Sequence, residues 1–204
     1  MKYLILFLGI GLLAACAPNG EHEKDEEKDI EIENGEVIKE PVEENVYRDF
    51  LDNLREMCGQ SFLGEAVFHE EDATDFIDQE LVMTFAKCEE DKIHIPLRVG
   101  ENRSRTWMLE MKDDKLTLKH DHRHEDGTPE DLTMYGGVAT DEGTAWSQFF
   151  PADEETAEML PEASTNVWNM VLHPDREEFE YILHRHGNLR FHAVFDLSTP
   201  VEED

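Results

Sequence analysis

Trp107-Met108-Leu109-Glu110-Met111-Lys112-Asp113-Asp114-Lys115-Leu116-Thr117-Leu118-Lys119-His120 is the stretch that decides the fold. On either side of Asp113-Asp114 the apolar residues recur every second position, the period of a strand and not of a helix. Two Asp residues between two such runs are a two-residue hairpin turn. With that turn, Lys112 pairs with Lys115 and the pairing runs outward: Met111 to Leu116, Leu109 to Leu118, Trp107 to His120, Arg105 to His122 and Arg103 to His124. Cross-strand partners point to the same side of a sheet, so all these side chains from Met111 outward share one face. A slip of one residue would exchange the faces and scatter the apolar set, which supports the register.

The same period continues along the chain. Candidate strands cover 61–68, 79–88, 92–100, 104–112, 115–124, 131–137, 145–150, 167–172, 178–186 and 189–197. Turn signals separate them at Glu90-Asp91, Gly100-Glu101-Asn102, Asp126-Gly127-Thr128-Pro129 and Gly187-Asn188. Two stretches break the pattern. Val46 to Met57 places Tyr47, Phe50, Leu51 and Leu54 on one helical face. A short helix runs from Asp153 or Glu154 to Leu160, with Asp153 as N-cap and Pro161 as its stop. The expected fold is mainly β: an antiparallel meander closed into a roughly ten-stranded barrel, with an N-terminal helix and one short helix late in the chain. Closure is favoured because about ten strands exceed what an open sheet usually carries; a β-sandwich is the alternative. On strand number and length the domain resembles the calycin-type barrels. No lipocalin signature motif accompanies that likeness, so it carries no function.

The first residues have a separate reading. Lys2 precedes an apolar run, Tyr3 to Leu13, shorter than the ~20 residues a membrane-spanning helix needs. The run ends in Leu13-Ala14-Ala15-Cys16. This resembles the bacterial lipoprotein signal, a Leu and two small residues before an invariant Cys. The resemblance implies cleavage before Cys16, lipid on that cysteine and a place in the bacterial cell envelope. It points to the outer membrane, facing the periplasm or the cell surface. Several acyl chains on one cysteine hold firmly where a single one holds weakly. The acidic stretch that follows is similar to the surface-export signals of some Bacteroidota lipoproteins.

The organisation expected is therefore a signal over 1–16, a disordered acidic tether over 17–45 and a single domain over 46–204. The tether carries twelve acids against three lysines, and the domain thirty-seven acids against fourteen Lys or Arg. With a formal net charge of −31 for the whole chain, nucleic acid is excluded as a partner, because phosphate contacts need a basic patch. An anionic bilayer would repel both parts, so the membrane is reached through the lipid on Cys16. Apart from Cys16 the cysteines are Cys58 and Cys88. In an exported chain they either form a disulfide or remain two buried thiols.

The candidate site lies on the opening hairpin. Its shared face runs from Met111 and Leu116 at the turn to Arg103, Arg105, Trp107, His120, His122 and His124 at the far end. That is how a pocket with an apolar floor and a polar wall reads. Three uses compete. Arg and His with Trp107 could bind a small anionic or oxygen-rich ligand, with no cofactor, since Arg offers a fork of donors matched to carboxylate or phosphate. His120, His122 and His124 could instead chelate zinc or another transition metal, as His-x-His pairs do in cupin barrels; Arg103 and Arg105 oppose a cation there. The cluster could also be purely structural in an envelope protein whose partners are other proteins. No nucleophile is paired with a base by spacing, so an enzyme is not favoured, although Arg and His can do acid–base and electrostatic work. The C-terminal hairpin offers a second wall. With Gly187-Asn188 as its turn, His184 pairs with Phe191, and Tyr181, Leu183, Arg185, Arg190, His192 and Val194 share the opposite face. Which of its two faces turns inward is open. Arg185-His186-Gly187 matches the histidine-phosphatase signature by spelling, but a hairpin follows it and not a helix.

Overall fold

The computed structural model describes residues 45–71, 74–76 and 78–203, together with a two-rung antiparallel ladder of Ile32–Glu33 with Glu36–Val37. Leu13 to Cys16 and most of the expected tether lie outside the described residues. Helix α1, Val46–Arg55, opens the main unit. Asn45 caps it, its Oδ1 accepting from the amides of Tyr47 and Arg48, each at 3.1 Å. Tyr47, Phe50, Leu51 and Leu54 are buried, as the helical spacing predicts. Each contributes roughly 1.5–3 kcal/mol of apolar burial.

Eleven strands follow: β1 Ser61–His69, β2 Leu81–Thr84, β3 Lys87–Glu89, β4 Lys92–Val99, β5 Asn102–Lys112, β6 Lys115–His122, β7 Tyr135–Val138, β8 Ser147–Pro151, β9 Val167–His173, β10 Glu178–Arg185 and β11 Asn188–Asp196. Helix α2, Glu154–Met159, lies between β8 and β9, with Asp153 as its N-cap. All strands pair antiparallel in one sheet, in the order β8-β9-β10-β11-β1-β2-β4-β5-β6-β7, and β3 pairs with β4. Neighbours in that path are consecutive in sequence except that β2 pairs with β4, and that the last strand, β11, pairs with the first, from Phe191↔His69 to Phe195↔Gly64. The two ends of the path, β7 and β8, meet through the bridge Gly137↔Ala152 and the bond from Thr140 N to Phe149 O at 2.9 Å. The result is a nearly closed barrel, and the sandwich alternative falls away. Two glycines permit close approach on the two sides of β7, Gly137 to β8 at the seam and Gly136 to β6. A Cβ on Gly137 would lie 1.8 Å from the Pro151 carbonyl oxygen, and one on Gly136 would lie 1.9 Å from that of Leu118.

The β5–β6 register is the one the sequence predicts, from Lys112↔Lys115 to Arg105↔His122. Asp113 and Asp114 take φ of 50° and 60°, the left-handed pair a type I′ hairpin turn requires and Asp tolerates. The like-charged Lys112–Lys115 rung is relieved because Lys115 turns to the Tyr47 hydroxyl, 2.9 Å away, and to Asp141. Those contacts also place α1 at the turn end of the hairpin, where it plugs the barrel.

Three sequence expectations are corrected. The run 79–88 is two strands, because Phe85 leaves the ladder to bury its ring completely and its amide bonds to Gln60 O at 2.9 Å. The C-terminal turn is His186-Gly187, φ 52° and 73°, one residue earlier than Gly187-Asn188. His184 therefore pairs with Leu189 instead of Phe191, and a bulge at Arg190 restores the pairing at Leu183↔Phe191. The strand over 131–137 begins only at Tyr135, after Met134 at φ 60°. Cys58 and Cys88 form a disulfide, with Cα atoms 6.1 Å apart, that ties the turn after α1 to β3.

Candidate functional site

The open end of the barrel, away from the α1 plug, holds a cavity of about 480 Å³. Volumes of ~300–1,000 Å³ are usual for small-molecule sites. The β5–β6 hairpin brings Arg105, Trp107, His120 and His122 to it, four of the six residues its sequence face proposes. Arg103 and His124 are not brought there. They line a second, polar depression with Asn102, Ser104 and Arg123. Strand pairing ends just beyond Arg105↔His122, because the chain turns at Glu125–Thr128: the His124 amide bonds to Thr128 O, and Asp126 Oδ1 accepts from the Thr128 amide, each at 2.9 Å. Arg103 reaches outward to Glu203 Oε1 at 2.5 Å, with over half of its side chain exposed.

The walls that face the hairpin come from β7, β9, β10 and β11: Tyr135, Trp168, Tyr181, Leu183 and Phe191. The bulged end of the C-terminal hairpin adds Arg185 and Arg190. Strand period does not single out Tyr135 and Trp168, and it leaves open the direction of the face that carries Tyr181, Leu183, Arg185 and Arg190.

The floor is aromatic and its polar atoms are saturated. His120 is 4% exposed. Its Nδ1 lies 3.1 Å from the Tyr135 carbonyl, which can only accept, so Nδ1 carries the proton. Nε2 therefore accepts from the Tyr181 hydroxyl, 2.6 Å away. The His120 ring stacks on Tyr135 at 4.7 Å and 10°, and Trp107 stacks on Tyr181 at 4.4 Å and 22°. Burial pushes the His120 pKa down to about 3, against the opposing pull of the Tyr135 carbonyl. This imidazole is neutral at physiological pH. Burial likewise raises the Tyr135 phenol to about 12 and pushes the Tyr181 phenol well above its ordinary value. Both phenols are hydrogen-bond donors and not activated nucleophiles.

Charge begins at the mouth. His122 Nε2 meets the Tyr135 hydroxyl at 3.0 Å, and its Nδ1 is 3.8 Å from Glu130 Oε2. Burial and then the Arg105 charge hold its pKa below the usual imidazole range. Arg105 donates from Nη2 to Asp75 Oδ2 at 2.8 Å, and the Phe76 ring covers the guanidinium at 5.4 Å. Its Nη1 is buried without a partner; among the described cavity-lining residues, no other has a buried side-chain nitrogen or oxygen in that condition. Arg185 Nε is engaged by Asn166 Oδ1 at 2.8 Å, and Arg190 pairs with Glu70.

His120, His122 and His124 do not converge. Both ring nitrogens of His120 are committed, and His124 belongs to the other depression. Among the described residues no group of three or more His, Cys, Asp or Glu side chains is placed to hold a metal ion. The arrangement can accept an apolar or aromatic body over its floor and an acceptor atom at Arg105. Comparison of the chain with protein-family models, with curated proteins and with solved structures finds no match.

Proposed function

We propose that this chain is a lipid-anchored envelope protein whose barrel binds a small anionic or oxygen-rich ligand in the Arg105–His122 cavity. The anchor rests on Leu13-Ala14-Ala15-Cys16. The ligand reading rests on one observation above the others: a cavity with an aromatic floor whose mouth holds Arg105 with a buried nitrogen left unsatisfied. An unpaired charged donor costs more than the ~1–3 kcal/mol of a neutral one, and a bound acceptor would remove that cost. A core filled only for stability would instead place Leu or Phe there.

Thermal unfolding tests the reading. Carboxylates, phosphates and polyols are each added to the full chain. A ligand at a hundredfold excess over its Kd stabilises by about 2.7 kcal/mol, which is roughly 5–10 °C for a domain of this size. At least one of the three classes should give that shift. Leu183→Trp, which fills the cavity from β10, should abolish it. No shift from any class, or an equal shift in the filled variant, would refute the reading.

A further inference from the structure

We infer that the ligand is a planar aromatic monoacid, bound with its ring system over the floor and its single carboxylate at Arg105. This rests on the small-ligand reading of the same cavity and narrows it to a chemical class.

The floor carries His120, Tyr135, Tyr181 and Trp107, names that suggest a polar surface. Their bonds are used on one another: His120 Nδ1 on the Tyr135 carbonyl, His120 Nε2 on Tyr181, the Tyr135 hydroxyl on His122. A hydroxyl or amide pushed to this depth would lose its water and gain little, a cost of a few kcal/mol in general. The deep end of the ligand is therefore apolar.

Phe76, Trp107, Tyr135, Trp168, Tyr181 and Phe191 present rings to the cavity, beside four leucines and Ala163. The stacked pairs Trp107–Tyr181 and His120–Tyr135 fix these rings as flat walls. Offset stacking rewards a flat partner beyond its buried area and gives a flexible chain no such gain.

The lining carries Arg105, Arg185 and Arg190 against Asp75, Glu130 and Glu162, so it is balanced. Arg185 and Arg190 are held by Asn166 and Glu70. One donor, Arg105 Nη1, is left over. A single carboxylate oxygen satisfies it, whereas a second negative group would meet Asp75, Glu130 or Glu162.

Calorimetric titration of the full chain with four probes tests this: 2-naphthoate, 2-naphthylmethanol, decanoate and naphthalene-2,6-dicarboxylate. The expected order has 2-naphthoate at least tenfold tighter than each of the others. In Arg105→Gln the acid should fall to the affinity of the alcohol while the alcohol itself is unchanged. Should Arg105→Gln not fold, the four-probe order on the unaltered chain decides alone. Equal affinity for the acid and the alcohol, or decanoate binding as tightly as 2-naphthoate, overturns the aromatic-monoacid class and leaves the cavity a binding site. Absence of heat from all four overturns the class. The broader reading then fails only if thermal unfolding also shows no stabilisation.

Discussion

His120→Gln should flatten the acid side of the stability profile. Burial holds the folded His120 pKa at about 3, whereas an unfolded histidine titrates near 6.5. Above pH 6.5 neither state binds the proton. Below it the unfolded chain takes one up and the folded chain does not, so stability present above pH 6.5 is lost as pH falls towards 3. Each pH unit in that window removes up to ~1.36 kcal/mol, so His120 alone accounts for a loss of about 2.7 kcal/mol between pH 7.5 and 4.5. His122 and His94 are also depressed, chiefly by burial, and add to the slope with the same sign. Carboxylates titrate near the lower end of the range too. Taking the difference between two proteins removes these shared contributions. Urea unfolding of wild type and His120→Gln should be followed at pH 7.5, 6.5, 5.5 and 4.5. Gln supplies a neutral donor and acceptor, so the variant starts lower at pH 7.5 by the cost of imperfect packing and bonding. The gap should then shrink by about 2.7 kcal/mol on acidification. Two curves that stay parallel to within ~1 kcal/mol over the range would refute the account of His120 as a buried neutral imidazole.

The seam and the crosslink offer further checks. Gly137→Ala forces a methyl group against the Pro151 carbonyl and should cost ~1–3 kcal/mol in denaturant unfolding, whereas Gly127→Ala, whose Cβ meets nothing within 4 Å, pays only for its left-handed backbone. A loss under ~1 kcal/mol at Gly137 would mean that close approach at the seam is not the constraint. Replacing Cys58 and Cys88 together by Ser opens a loop with a sequence separation of 30, for which the chain-entropy relation gives about 3.6 kcal/mol at 25 °C. Equilibrium unfolding in urea measures it, and a loss under ~1 kcal/mol would place the disulfide's effect outside unfolded-chain entropy.

The sequence made the hairpin legible because two kinds of information coincide there. A two-residue turn sets the register, and the period-two pattern fails if the register slips. Trp107 opposite His120 and Arg105 opposite His122 follow from those facts alone. The same reasoning went astray at His124, since strand period says which face a residue shares only while the strand continues, and the chain turns after Arg123. At the C-terminal hairpin, glycine marked a turn without fixing which side of it the second turn residue lay. His186 took the left-handed position, and Arg185, on the Tyr181–Leu183 face that strand period assigns it, lines the cavity together with the bulged Arg190. The distant walls were hidden for another reason. Tyr135 lies in a strand that flanks the seam and Trp168 one strand beyond it, and which strands meet across a barrel depends on how the sheet closes.

The pairing of β11 with β1 also orders events in time. Every other ladder joins strands close in sequence and can form as the chain lengthens. This one cannot form until the residues through Phe195 are present. Until then β1 keeps an unpaired edge with Val67 and Phe68 beside it, side chains that stay largely exposed even in the finished barrel. Such an edge is a template for pairing with another chain. A molecule truncated before β11 would be a sticky, unclosed sheet and not a smaller barrel, so the last strand to emerge is the one that protects the first.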